Sequence, residues 1–268
     1  MPEGLEAEIW CRAAQPLTGR TIESLVADER VAPVGLAGAL VGATVTGVRR
    51  RGKVLLFELG EPGSAHPSAD RSERVLGRHF GMSGRLVVDG RAPIEQLSYA
   101  SGQDRPEWDR LQIWTGSGTT PALRFNDPRR LGRVTLDPDL TALGPDMFDV
   151  SLSELGEKLA RRTAAIKTVL LDQHVIAGLG NLCTDEVLWW SGVDPHRSAA
   201  SLVPTEVSAV LDAIQEVLPV MLEAGGSTRG TLTPEVRAAC PPCERDGTPL
   251  RRDTIGGRTT VWCPHHQR

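Results

Sequence analysis

The last 29 residues constrain this chain most, because they carry too little apolar mass to fold on a core of their own. They contain Cys240-x2-Cys243-x19-Cys263-x2-His266. Thiolates and imidazoles bind zinc tetrahedrally, and two intervening residues let both donors of a knuckle reach one ion. The pattern reads as a ribbon of two knuckles joined by a polar hairpin. Asp246-Gly247 and Gly256-Gly257 supply its turns. His265 and His266 both offer a fourth ligand, and the x2 spacing favours His266. One structural zinc ion is expected to hold the segment. A free-thiol tail without metal is the plainer alternative.

The other end begins Met1-Pro2-Glu3. Once the initiator methionine is removed, Pro2 is a secondary amine with a carboxylate beside it. A free terminal amine has an unperturbed pKa of about 8, so it is partly neutral and nucleophilic at pH 7. Attack on a sugar's anomeric carbon would give an iminium ion directly, an electron sink for elimination. Glu3 could move the protons. Met-Pro-Glu also begins proteins by chance, so this reading needs support from elsewhere in the chain.

Composition narrows the field. The 268 residues carry 30 Lys and Arg against 34 Asp and Glu, a net charge of −4 that counts against a non-specific nucleic-acid binder. The basic residues cluster, however, at Arg49-Arg50-Arg51-Gly52-Lys53, at Arg129-Arg130-x2-Arg133 and at Arg251-Arg252 with Arg258 and Arg268. A basic groove on an acidic body fits this pattern, and so do three solvated turns. No run of about 18 apolar residues suggests a membrane span, and the acidic N-terminus is unlike a signal peptide. Three of the five cysteines lie at ligand spacing, which points to metal in a reducing cytosol rather than disulfides. Cys11 and Cys183 stand apart and are expected to be ordinary buried residues.

Periodicity divides the chain. Residues 1–18 read as a short helix. From 19 to about 135 short β-like runs, among them 43–48, 54–59, 85–88, 110–114, 122–125 and 134–136, alternate with Gly, Pro, Asp and Ser. Residues 60–73 and 101–106 read as polar loops. Many short strands with frequent turns suggest a sandwich or barrel. After a linker at 140–145 the period becomes helical, over 151–163, 164–171, 185–191 and an amphipathic 204–224. Pro204 suits the first helical position there, and Gly225-Gly226 ends the helix. The fold class is α+β.

Three further segments bear on function. Arg78-His79-Phe80-Gly81-Met82-Ser83-Gly84 puts a long apolar side chain on a glycine-flanked turn, suited to wedging between base pairs or to folding into the core. Asn126-Asp127-Pro128-Arg129-Arg130-Leu131-Gly132 offers a rigid turn with two arginines and an apolar tip. Ile176-Ala177-Gly178-Leu179-Gly180-Asn181 before a helix reads as a backbone-amide cradle for phosphate, or as a tight turn that needs glycine.

In this order, the segments resemble the formamidopyrimidine-DNA glycosylase / endonuclease VIII family of base-excision repair enzymes, across essentially the whole chain. The resemblance implies an N-terminal β-sandwich opened by a helix (1–137), a helix–two-turn–helix domain (138–228) and a zinc-ribbon hairpin (236–268), with DNA held in the cleft between. It implies that the damaged base is flipped out, its glycosidic bond cut and the strand nicked by β,δ-elimination. Pro2 is then the Schiff-base nucleophile, Glu3 the proton-transferring acid and Glu6 a further active-site carboxylate. Lys53 assists catalysis at a phosphate, and Arg258 holds the phosphates by the lesion. Met82 fills the void left by the flipped base, Arg129 faces the orphaned base and Leu131 intercalates. Asn181 binds phosphate, and Lys167 lies at the DNA cleft. Cys240, Cys243, Cys263 and His266 hold zinc. The partner is damaged double-stranded DNA, and the protein is expected to be a cytoplasmic monomer.

Some positions depart from the family's pattern. His266 replaces a fourth cysteine, a change that zinc accepts. Leu131 stands where the 8-oxoguanine branch usually has phenylalanine. Only 11 residues, Arg229 to Ala239, separate Gly225-Gly226-Ser227-Thr228 from Cys240. The 8-oxoguanine branch carries a longer stretch there, with a loop that caps the flipped base. Met1-Pro2-Glu3-Gly4 is also more like the endonuclease VIII branch, which prefers oxidised pyrimidines. Two alternatives remain beside the glycosylase-lyase: a non-excising damage or abasic-site binding protein of the same fold, and a small-molecule enzyme that uses an N-terminal proline as base.

Overall fold

A computed structural model describes residues 2–61, 74–94, 97 and 102–268. Met1, most of the loop expected at 60–73 and Ser101 lie outside these residues. The chain forms two compact units, Pro2 with Glu6–Leu140, and Glu3–Leu5 with Thr141–Arg268.

The first unit takes up most of helix α1 (Gly4–Ala14), then β1 (Ile22–Ala27), the short α2 (Leu36–Leu40), β2 (Val45–Arg51), β3 (Val54–Leu59), β4 (Arg74–His79), β5 (Arg85–Val88), β6 (Asp109–Thr115), β7 (Leu123–Asn126) and β8 (Arg133–Leu136). The strands make two antiparallel four-stranded sheets, ordered β1-β6-β7-β5 and β2-β3-β4-β8. Alternation along β3 sends Leu55, Phe57 and Leu59 into one core with Leu111, Ile113, Leu123 and Phe125 of the other sheet. Trp10 of α1 joins that core, its ring 3.9 Å from that of Phe80. The sandwich expected from the short strands is present. Strands β1 and β4 escaped the sequence reading. β4 carries a charge at each end and a central Gly77, where a Cβ would lie 2.8 Å from the Pro138 ring, so little in it reads as strand.

Connectivity places the loops. Gly52 and Lys53 form the two-residue turn between β2 and β3, which pair from Arg51↔Val54 onward, and Gly52 takes a left-handed φ of 57°. The β4–β5 link, 80–84, crosses from one sheet to the other, and so does the β7–β8 link, 127–132. Because β4 pairs with β8 and β5 with β7, the two crossovers run side by side at one edge of the sandwich.

The second unit contains α3 (Leu152–Ala160), α4 (Ile166–Leu171), α5 (Asn181–Ser191), α6 (Pro204–Glu223), α7 (Pro234–Ala239) and the hairpin of β9 (Arg251–Ile255) and β10 (Arg258–Trp262). Ser151 and Glu154 close a capping box on α3. Glu206, at the third position of α6, accepts from the Val203 N–H at 2.8 Å and pairs with Arg197. Trp189 of α5 packs with Leu232, Cys243, Leu250, Val261 and Cys263. The hairpin therefore shares a small apolar core with a helix, which its own composition did not reveal. Among the described residues no helix is long and apolar enough to cross a membrane.

Candidate functional site

In the first unit, Pro2, Glu6 and Lys53 are buried, and Met82, Arg129 and Leu131 sit exposed on the two crossovers. Met82 is 37% and Leu131 50% accessible, so neither folds into the core. The crossovers touch: Gly81 has a φ of 62°, and a Cβ there would overlap the backbone of Leu131 and Gly132. Only glycine satisfies both the backbone conformation and the close approach.

A buried ion pair ties these loops from below. Asp127 is fully buried and accepts from Ser83 Oγ at 2.6 Å, Gly132 N–H at 2.7 Å and Arg129 N–H at 3.3 Å. One carboxylate thus serves both crossovers. Its counter-ion is Arg78, also fully buried, with Nη2 3.8 Å from Asp127 Oδ2. The guanidinium makes no hydrogen bond among the described residues. It lies between the rings of Phe80 and Phe125, at 5.6 and 5.1 Å from their centroids. Burial pushes its pKa down to about 10, against the pull of Asp127. Both residues stood inside the motifs read from the sequence, yet their partnership bridges 49 positions and has no local signal. Asp28 gathers Arg30, Arg110 and Arg130 beside the 127–132 turn, and its hydrogen bond from Arg30 is the chief reason its carboxyl is held well below the usual range.

In the second unit the first turn of α5 is the centre. Glu3 is buried, and its carboxylate accepts from the backbone N–H groups of Gly180 (3.0 Å), Leu182 (2.8 Å) and Cys183 (3.1 Å). The glycine turn 176–181, expected to cradle phosphate, instead holds a side chain of this chain. The helix terminus favours an anion for the expected reason, its unpaired N–H groups and dipole, and Glu3 already engages three of those groups. Gly180 is needed for the approach, since a Cβ there would overlap the Glu3 carboxyl. Cys183 contributes its N–H, and it and Cys11 are buried, as expected. Burial raises the Cys11 thiol to about 11.

Lys167 also departs from the expectation. It is fully buried, with Nζ 2.6 Å from Asp185 Oδ1 and donating to Thr259 O (2.9 Å) and Thr260 Oγ1 (2.8 Å). Burial pulls its pKa below the ordinary lysine value, and Asp185 opposes the shift. It cannot also reach a phosphate; it fastens the hairpin to α4 and α5. Arg237 completes the network, 2.7 Å from Asp185 Oδ2 and donating to Thr259 O at 3.1 Å. Asn181 Nδ2 donates to the same carbonyl at 2.9 Å. Arg258 stands exposed beside the Gly256-Gly257 turn, one residue from that anchored carbonyl. Asp185 and Arg237 were missed because charged helix residues ordinarily face water.

At the hairpin base, one ligand atom from each of Cys243, Asp246, Cys263 and His266 lies within 4.8 Å of the others. Cys240, read from its spacing as a ligand, is not in this group; its Sγ faces the Arg237 carbonyl at 3.7 Å. His266 Nε2 donates to Trp189 O at 2.9 Å, which leaves Nδ1 as the lone-pair donor turned toward the cluster. His265 is exposed.

Residues 1–134 match the formamidopyrimidine-DNA glycosylase N-terminal domain, and residues 142–233 match the H2TH domain of the same enzymes. The chain belongs to the formamidopyrimidine-DNA glycosylase family. It is 34% identical to the formamidopyrimidine-DNA glycosylase of Paracoccus denitrificans (strain Pd 1222), over 98% of this chain and 99% of that one. It is 35% identical to that of Rhizorhabdus wittichii over the full length of both. Among solved structures, Lactococcus lactis formamidopyrimidine-DNA glycosylase bound non-covalently to DNA containing an AP site superposes with a TM-score of 0.80, at 28% identity over 99% of each chain. MutM in complex with DNA containing carbocyclic 8-oxo-G gives 0.80 at 27% identity over all of both chains. As a member of this glycosylase family the chain has the expected architecture, a β-sandwich followed by helices and a Cys/His-bearing hairpin able to bind a metal.

Proposed function

We infer that this protein is a base-excision-repair DNA glycosylase that removes oxidised bases from duplex DNA and then cleaves the abasic site as a lyase. The observation that carries the reading is the anchoring of Glu3. Three backbone N–H groups fix its carboxylate at the start of α5, and the residue before it is Pro2, whose nitrogen is a terminal amine once Met1 is removed. An amine nucleophile is thereby tethered one residue from an immobilised carboxylate, with which proton transfer needs little reorganisation.

The Pro2 nitrogen lone pair attacks C1′ of the sugar and the glycosidic bond breaks, the base leaving with a proton. Ring opening gives an iminium ion that accepts the electrons of the C2′–H bond as the 3′-phosphate departs. The 5′-phosphate follows in a second elimination. Glu3 holds and returns protons. Lys53, at the β2–β3 turn, and Arg258, at the hairpin turn, neutralise phosphates. Met82 fills the space vacated by the flipped base, Arg129 faces the orphaned base, Leu131 intercalates, and Asn181 holds backbone phosphate. Division into 1–137, 138–228 and 236–268 gives each function its own element. Zinc, when bound by Cys243, Cys263 and His266, supplies rigidity to the hairpin and no redox or acid–base chemistry.

Residues 229–239 also bear on the lesion. Glu186 accepts from the N–H groups of Thr231 (2.7 Å) and Leu232 (2.8 Å), and a Cβ on Gly230 would lie 2.5 Å from its carboxyl carbon. A segment pinned in this way supports lesion recognition without a capping loop from this stretch, in keeping with a preference away from 8-oxoguanine.

The test is borohydride trapping on two duplexes, one with an abasic site and one with an oxidised base. Cross-links to both are expected. Tight binding without any cross-link would favour the non-excising damage-binding protein instead. Arg258→Ala is expected to weaken DNA binding, reducing the slope of log affinity against log salt by about 1. Zinc content, measured in parallel, should not change; its loss would reassign Arg258 to a structural role.

A further inference from the structure

The glycine turn that holds Glu3 is itself held by a single side chain. Gln173 stands two residues past the end of α4. Its Oε1 accepts from the Gly178 N–H at 3.0 Å. Its Nε2 donates to Leu179 O at 2.9 Å and to Leu171 O at 3.0 Å. A primary amide offers two N–H donors and one acceptor oxygen, so both ends of this one are engaged. The Gln173 carbonyl accepts from the Gly144 N–H at 2.9 Å, which fixes the main chain from which the side chain springs.

The planarity of the peptide group gives these bonds their consequence. Leu179 O and the Gly180 N–H belong to one peptide, so a donor on that oxygen sets the direction of that N–H. The Gly180 N–H is one of the three that grip the Glu3 carboxylate, at 3.0 Å. The Gly178 N–H belongs to the peptide two places earlier, which Gln173 also holds. Between the two lies the peptide of Gly178 O, and that oxygen accepts from the Gly4 N–H at 2.9 Å. Packing restricts the same turn. Gly178 has a φ of 114°, and a Cβ on it would lie 2.7 Å from Met147 Sδ. A Cβ on Gly4 would lie 2.6 Å from Met147 Cε, and Met147 is fully buried.

Resting on the glycosylase–lyase reading above, we propose that Gln173 is a positioning residue for this reaction. It orients the Gly178 carbonyl and the Gly180 N–H toward residues 3 and 4. Through them it sets the Glu3 carboxylate and the chain that carries the Pro2 amine. It moves no proton itself and acts only through the turn.

The test uses the full-length protein with Met1 removed, in single-turnover cleavage of an abasic duplex at saturating enzyme. Affinity for an uncleavable abasic duplex and the urea unfolding midpoint are measured in parallel. Gln173→Met keeps the length of the side chain and removes all three hydrogen bonds. Its saturated rate should fall at least about tenfold, toward the roughly hundredfold that a misplacement of about 1 Å costs. Its Kd should stay within about threefold, because the loss lies in the reacting complex rather than in binding. Lys158→Met removes a hydrogen bond to His174 O beside the same turn, and its saturated rate should stay within about twofold. A side chain that only stabilises the fold would lower the urea midpoint and leave the saturated rate of folded protein unchanged. That result, or an equal loss of rate in Lys158→Met, would overturn the proposal. If Gln173→Met does not fold, Gln173→Glu carries the test. It keeps the acceptor for the Gly178 N–H but loses the donor to Leu179 O, so its saturated rate should also fall about tenfold; an unchanged rate would overturn the proposal. Absence of cleavage by the unsubstituted protein would instead overturn the glycosylase–lyase reading, and the role of Gln173 with it.

Discussion

A chain that keeps even one residue ahead of Pro2 is expected to give no borohydride cross-link to abasic DNA. An N-terminal Gly-Ser extension converts the secondary amine into an amide whose lone pair is delocalised into the carbonyl, so no iminium can form. The yield should fall at least about a hundredfold, corresponding to about 2.7 kcal/mol of lost transition-state stabilisation. Binding to uncleavable abasic duplex should persist, since the phosphate contacts do not use the amine. Normal cross-linking by the extended chain, with the extension confirmed by mass, would exclude Pro2 as the nucleophile and point to a lysine.

The second large effect is structural. Asp127→Ala is expected to cost about 3–5 kcal/mol of stability, read by urea unfolding, because it leaves the Arg78 guanidinium buried and uncompensated. It also orphans the N–H of Gly132 and the Ser83 hydroxyl, which both donate to this carboxylate. The double variant Arg78→Met/Asp127→Asn removes both charges while keeping an acceptor, so it should recover a substantial part of the loss. A cost below about 1 kcal/mol for Asp127→Ala would mean that the crossovers are held by the packing of Gly81 on Leu131 rather than by the ion pair. The carboxylate that accepts from the Gly132 N–H and the Ser83 hydroxyl also fixes the loops from which Leu131 and Met82 project.

Glu3 and Lys167 show how local and non-local information part. A glycine turn before a helix reads correctly as a place where backbone N–H groups collect. That the anion filling it comes from residue 3, some 177 positions away, cannot be read from the turn. Lys167 reads as one more basic residue of a DNA-binding protein. Its burial is decided by Asp185 and by the Thr259 carbonyl of the distant hairpin. The same holds at the hairpin base: the Cys/His spacing marks the knuckles, but that Asp246 lies with Cys243, Cys263 and His266 is settled by the fold.

What the sequence by itself determined were features with a short repeat or a dense motif. These are the β-then-helical division near residue 140, the sandwich, the family, and a C-terminal hairpin whose Cys/His cluster is able to bind a metal. Periodicity, turn chemistry and ligand spacing act over a few residues, so they are written along the chain. Tertiary structure alone decided the partners of the buried charges Glu3, Arg78, Asp127, Lys167 and Asp185. A charge taken out of water must find its counterpart wherever the fold brings one, and sequence distance does not enter that requirement.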